Sequence, residues 1–354
     1  MTTPSQPRPA PSPTAPAAGP LWAPPAWGPP AWGPPAPLPK PLDLPLVGHS
    51  YPELMRTPRA RWWNPLASFG MVLLGVGVLT VLLTVPMALV LFQQLDPGEL
   101  WSAEGPSEAS LELALFSAPM VLLNNLLLAA LTGVALLAVL VAHPVKARFL
   151  HSVEGRVRWR WLLRAHLVLL PLFLVYVLGT WALDGARVAP RPEDWGWLLA
   201  MALLVTPFQA AGEEYLFRGW TMLALGTWIR RPGVAVAVTA AVSAVAFALA
   251  HGSLNPWILL DLGVFAVAAV LLTWRTGGLE AAVALHVVNN VVILAFGTVT
   301  GLATESYVTA STQGDPLATL VSAAVTALAT VLLLWQAKRA GVARTVPSAV
   351  GARP

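Results

Sequence analysis

The chain has 354 residues, of which 56% are hydrophobic and only 11% charged, with a net charge of +4. Soluble domains carry about a quarter charged residues, so the composition excludes a soluble globular fold and predicts an all-α polytopic membrane protein with room for about six to eight helices of about 20 apolar residues each. The absence of cysteine excludes disulfides, thiolate metal sites and cysteine nucleophiles, and the small positive charge points to basic membrane-flanking loops rather than to nucleic acid.

Residues 1–60 hold more than half of the 34 prolines and include the repeat WAPPAWGPPAWGPP. Proline removes backbone donors and favours polyproline II, which predicts a disordered cytoplasmic tail. The first 40 residues lack the apolar core of a signal peptide. The Pro/Trp repeat has the character of a ligand for an aromatic-grooved partner, although a low-complexity tail near the membrane surface is the plainer expectation.

Apolar stretches follow at 66–93, 113–142, 161–183, 197–229, 233–251, 256–274, 279–299 and 317–337. The fourth is long for a simple span and contains three charges, with Gly219 as the candidate place for a bend. About eight transmembrane helices therefore make up a membrane domain over 61–340, with a short cytoplasmic tail at 341–354. Loop charge alternates. Arg56, Arg59 and Arg61 precede the first span, Asp96 to Glu108 follow it, and Lys146 to Arg164 follow the second. Basic loops recur on every second connection, which places both termini on the cytoplasmic side of a cell membrane.

The fourth stretch contains the run EEYLFR. Ionisable groups in hydrocarbon cost several kcal/mol unless paired or facing a wet cavity. On a helix Glu214 and Arg218 stand at i and i+4 and can pair, while Glu213 is turned by about 100° and remains the reactive carboxylate. His251 ends the run VSAVAFALAH, one turn after Phe247. His286 and Asn290 share one face of the seventh span. Pro232 lies midway between Glu213 and His251, which predicts equal depth in a helical hairpin. His286 should lie shallower unless a helix bends or tilts.

A carboxylate, two histidines and an amide form a hydrolytic set. Glu213 and His251 would hold and deprotonate a water, and His286 with Asn290 would donate to the oxyanion of a tetrahedral intermediate. There is no HExxH motif, yet Glu213, His251 and His286 are also of the types that ligate zinc. Metal-free glutamate-activated water and a Zn2+ site therefore both stay open.

The order EExxxR (Glu213, Glu214, Arg218), FxxxH (Phe247, His251) and HxxxN (His286, Asn290) on successive helices resembles the CAAX protease and bacteriocin-processing (CPBP, or Abi) family. That family includes type II CAAX prenyl proteases and lysostaphin-resistance proteins. The likeness covers about 195–300. It implies an intramembrane endopeptidase, labelled a metalloprotease in the family. Glu213 would be the catalytic glutamate, His251 its water-binding partner, and His286 and Asn290 the oxyanion donors, with Glu214 and Arg218 shaping the site. Its substrate would be a membrane-associated peptide or protein. The Ala/Val/Leu/Arg bias looks bacterial, which argues against prenyl processing and leaves peptide maturation, bacteriocin self-immunity or regulated cleavage of a membrane protein open. Two other readings remain. One is a transporter or ion-binding protein using Glu213, Asp261 and the histidines, although no inverted repeat is visible. The other is a non-catalytic immunity scaffold.

Overall fold

The computed structural model describes residues 42–309 and 312–348. Among them there is no strand, and seven helices are long and apolar enough to cross a membrane. They are α1 (Asn64–Gln94), α2 (Ala118–Ala142), α3 (Trp159–Leu183), α7 (Pro232–Ala250), α8 (Pro256–Thr276), α9 (Glu280–Thr300) and α10 (Pro316–Arg339). Between α3 and α7 lies a broken span: α4 (Trp195–Leu204), α5 (Thr206–Glu214), a π-helical turn at Tyr215–Trp220, and α6 (Thr221–Trp228). Counting it as one makes eight, and the chain is a multi-pass membrane protein.

The helix starts follow from sequence. Proline stands in the first turn of α1, α2, α5, α7, α8 and α10, where its missing N–H has no intrahelical partner to lose. Asn255 and Asp315 cap α8 and α10 with side-chain oxygens that accept from first-turn N–H groups, satisfying donors the helix cannot. The second span starts at Ala118, later than the expected residue 113. Pro119 has no N–H to bond the carbonyl one turn earlier, so the ladder does not run on through it from the short helix Glu108–Leu115.

The fourth span does bend, by 42°, but at Val205 and not at Gly219. Pro207 lacks the N–H that would continue the ladder and restricts Thr206 before it. Gly219 lies instead inside the π turn, where a Cβ would come to 3.0 Å from Leu150 and Leu279 side-chain carbons.

Helix α5 sits between α2 and α9, α3 lies against α9, and α8 contacts both α7 and α10. One apolar cluster runs through Leu169, Phe173, Phe247, Leu272, Leu285 and Leu333. A second gathers Tyr51, Leu54, Met55, Phe149, Leu223 and Leu279. Many outward positions of the spans are large and apolar, among them Leu82, Val85, Leu167, Val175 and Val331, as a lipid-facing surface requires.

The expected disordered tail does not extend to residue 60. Residues 42–60 pack on the helices, with Tyr51, Leu54 and Met55 fully buried. Tyr51 Oη donates to Leu150 O at 2.6 Å. Arg56 donates to the carbonyls of Gly226, Ile229 and Arg230, closing the C-terminal end of α6. The proline and tryptophan repeats fall within residues 1–41, outside the described residues. At the same end of the bundle, Arg158 and Glu280 form a buried two-pronged ion pair at 2.6–2.8 Å. Arg158 also donates to Ala343 O, which ties the segment after α10 to the body.

Candidate active site

The bend at Val205 and the π turn at Tyr215 leave α5 as a short bracket carrying Gln209, Glu213 and Glu214. Glu213 and His286 are buried, and Glu214 and Arg218 are fully inaccessible. Glu214 Oε1 lies 2.9 Å from Arg218 Nη1, as the i, i+4 spacing predicts. The contact is ionic without hydrogen-bond alignment, since the guanidinium nitrogens have no hydrogen-bond acceptor among the described residues. The guanidinium lies over the Phe247 ring at 4.1 Å, a cation–π contact that strengthens away from water.

The same Glu214 oxygen takes His286 Nδ1 at 2.8 Å. An ionised carboxylate only accepts, so Nδ1 carries the hydrogen, and a lone pair is available at Nε2 when the ring is neutral. That nitrogen is 3.8 Å from Glu213 Oε2. This is too long for a direct hydrogen bond and short enough for one water to touch both atoms. The ring is further fixed by Phe247 and Phe265, with edge contacts at 5.7 and 5.2 Å between centroids.

The other oxygen of Glu213 is held by Gln209, whose Nε2 donates to Oε1 in a very short hydrogen bond. Gln209 Oε1 accepts from Asn290 Nδ2 at 3.4 Å, and Asn290 Oδ1 accepts from Asn289 Nδ2 at 3.0 Å. Gln209 is absent from the sequence-based site, although it lies at i−4 from Glu213, the spacing at which helical side chains meet.

His251 is placed differently from expectation. It caps α7, is half-buried, and its Nδ1 donates to Phe247 O at 2.8 Å. Its ring meets Phe247 at 4.7 Å, and no hydrogen bond joins it to Glu213 among the described residues. His286, expected to be the shallower histidine, is the one beside Glu213. Equal distance from Pro232 matches depth only for regular straight helices, and the π turn at Tyr215–Trp220 interrupts the stretch between Glu213 and Pro232. The proposed zinc ligands Glu213, His251 and His286 also do not converge. Among the described residues no group of three His, Asp or Glu side chains is spaced to hold a metal ion, so the residues present do not form a zinc site.

Two cavities lie elsewhere. One of about 1150 Å³ is lined by Trp197, Leu204, Val205, Thr298 and Tyr307. One of about 330 Å³ is lined by His151, His166, Tyr215 and Glu280. Neither is lined by Glu213 or His286, which meet in the polar contact between α5 and α9.

No curated protein and no solved structure gives a significant match to the chain. Residues 195–292 match the family model described as type II CAAX prenyl endopeptidase Rce1-like, and these residues include every side chain of the site from Gln209 to Asn290. The likeness to this family of membrane endopeptidases covers residues 195–292 of the 354.

Proposed function

We propose that the protein is an intramembrane endopeptidase that hydrolyses a peptide bond of a membrane-associated protein or peptide with water activated by Glu213. The observation that carries this reading is the facing pair Glu213 Oε2 and His286 Nε2, 3.8 Å apart, which both accept when the imidazole is neutral. A water donating one hydrogen to each keeps a lone pair for the carbonyl carbon of the scissile bond. Glu213 takes the proton as the C–O bond forms, and the tetrahedral oxyanion develops on the former carbonyl oxygen. Asn290 Nδ2 has a second hydrogen beyond the one given to Gln209 and serves as an oxyanion donor. Collapse of the intermediate breaks the C–N bond, and the proton held by Glu213 passes to the leaving amine. Glu214 keeps His286 in the tautomer this arrangement needs, and Arg218 balances the Glu214 charge. His251 supports the site through Phe247. No step passes through a metal. The basic loops favour termini on the cytoplasmic side of the membrane.

The test is cleavage of a fluorogenic peptide library by the purified protein in proteoliposomes. Wild type is expected to release product and Glu213→Gln to lose at least about 100-fold in kcat. Equal turnover by a folded Glu213→Gln protein would overturn the assignment.

A further inference from the structure

We propose that Gln209 is a positioning residue for Glu213, clamping carboxylate oxygen Oε1 so that Oε2 alone faces His286 and acts as base. The proposal rests on the reading of Glu213 given above and adds a residue that the three sequence motifs do not contain.

The hydrogen-bond directions support it. A carboxylate acting as base can only accept, so Gln209 must present its NH2 group to Glu213 Oε1. Its carbonyl is then left facing α9, where only a donor fits, and Asn290 Nδ2 supplies one at 3.4 Å. That fixes the Asn290 amide in turn and leaves Oδ1 to accept from Asn289 Nδ2 at 3.0 Å. Three amides thus point the same way, from Asn289 through Asn290 and Gln209 to Glu213. Each donor in such a chain polarises the next.

Position along the chain agrees. Gln209 and Glu213 are one turn apart on α5, which is bounded by the bend at Val205 and the π turn at Tyr215. Gln209 is buried, with 7% of its surface exposed. Burial makes loss of either amide bond costly and the orientation well determined. The charged groups facing Glu213 are Glu214 and Arg218 on its own span and His286 from α9. None of them contacts Oε1, so its position depends on Gln209. Asn290 accordingly has two duties: it aims Gln209 with one Nδ2 hydrogen and keeps the other for substrate.

The experiment has two arms, using full-length protein in proteoliposomes. In the first, carboxylate infrared difference spectra between wild type and Glu213→Gln isolate the Glu213 bands, and the same difference is taken in a Gln209→Met background. The proposal expects the Glu213 antisymmetric stretch to shift when Gln209 is replaced; an unshifted band in folded Gln209→Met protein would overturn it. In the second, cleavage of the peptide library is compared for Gln209→Met, Asn290→Leu and the double variant. Gln209→Met is expected to lower kcat by about 10–100-fold with little change in KM, and the double variant should fall short of the product of the two single losses because the residues share one chain. Strictly multiplicative losses, or full activity in Gln209→Met, would overturn the proposal. A Glu213→Gln enzyme with normal activity would instead sink the underlying assignment of the base, which keeps the two failures apart. Gln209→Leu serves where Gln209→Met does not fold: it keeps a similar volume and removes the amide donor to Oε1, so near-normal kcat in that variant also overturns the proposal.

Discussion

His286 Nδ1 lies 2.8 Å from Glu214 Oε1, the same carboxylate oxygen that meets Arg218 Nη1 at 2.9 Å. One oxygen therefore sets both the charge balance of the buried guanidinium and the tautomer of the imidazole. This double engagement separates the two adjacent glutamates more sharply than their rotation about the helix does. Glu214 is consumed by structure, and Glu213 is left with one oxygen free.

The first prediction concerns this shared oxygen. Glu214→Gln takes from the buried Arg218 the carboxylate it touches, and breaking such a pair costs about 3–5 kcal/mol. The double variant Glu214→Leu/Arg218→Met removes both charges and should recover most of the melting temperature. It should not recover cleavage, because His286 has still lost the acceptor that fixes Nδ1–H. Thermal unfolding in detergent alongside peptide-library turnover checks both halves. Restored activity in the double variant would show that the tautomer lock is dispensable.

A second prediction ranks the histidines. His286→Ala should reduce kcat about as severely as Glu213→Gln, since Nε2 faces the base directly. His251→Ala should retain at least about tenfold more activity, as its ring reaches the site only through Phe247. Steady-state kinetics on the two folded variants decide the order. The reverse order would return the water-holding role to His251.

Much of this was legible in the sequence. The eight-helix count follows from apolar run length alone, and the Glu214–Arg218 pair and the shared face of His286 and Asn290 follow from helical spacing. These are local properties, fixed within one or two turns. What sequence misplaced depends on helix geometry: the bend falls at Val205, where Pro207 signals it, and a π turn at Tyr215–Trp220 interrupts the regular rise between Glu213 and Pro232. Gln209 carried a signal, its i−4 spacing, but an uncharged amide in an apolar run raises no energetic question by itself. The packed segment 42–60 was hidden by the prolines before it, although Tyr51, Leu54 and Met55 are apolar residues of the kind a core recruits.

Close approach of α5 to α2 gives a third prediction. A Cβ at Gly212 would collide with the carbonyl oxygen of Leu128 and come within 3.1 Å of Ala129 Cα, both backbone atoms that cannot rotate away. Small residues let membrane helices approach this closely. Gly212→Ala should push the helices apart, lower the melting temperature and displace the neighbouring Glu213, so activity falls as well. Gly233→Ala in the first turn of α7 meets nothing within 4 Å and should leave both unchanged. Equal behaviour of the two variants would contradict the packing described.

The last prediction is a pH dependence of stability set at the end of α2. His143 follows the last residue of that helix and is 3% exposed, and both ring nitrogens are buried without a hydrogen-bond partner among the described residues. Burial disfavours the imidazolium and brings its pKa down to about 4 from an ordinary 6.5. Above about pH 6.5 the ring is neutral in folded and unfolded chains alike and adds no pH dependence. As pH falls from there towards 4, the unfolded chain takes up a proton that the folded protein refuses, so folding stability declines with each step of acidification. The full loss is on the order of 3 kcal/mol, using about 1.4 kcal/mol per pH unit. His143→Leu keeps an apolar side chain of similar size and removes the titration. Subtracting the melting temperatures of wild type and variant across pH 4–7 cancels the other titrating groups. The difference should be constant above about pH 6.5 and move in favour of the variant below it; a flat difference throughout would show that His143 is hydrated or paired in the folded protein.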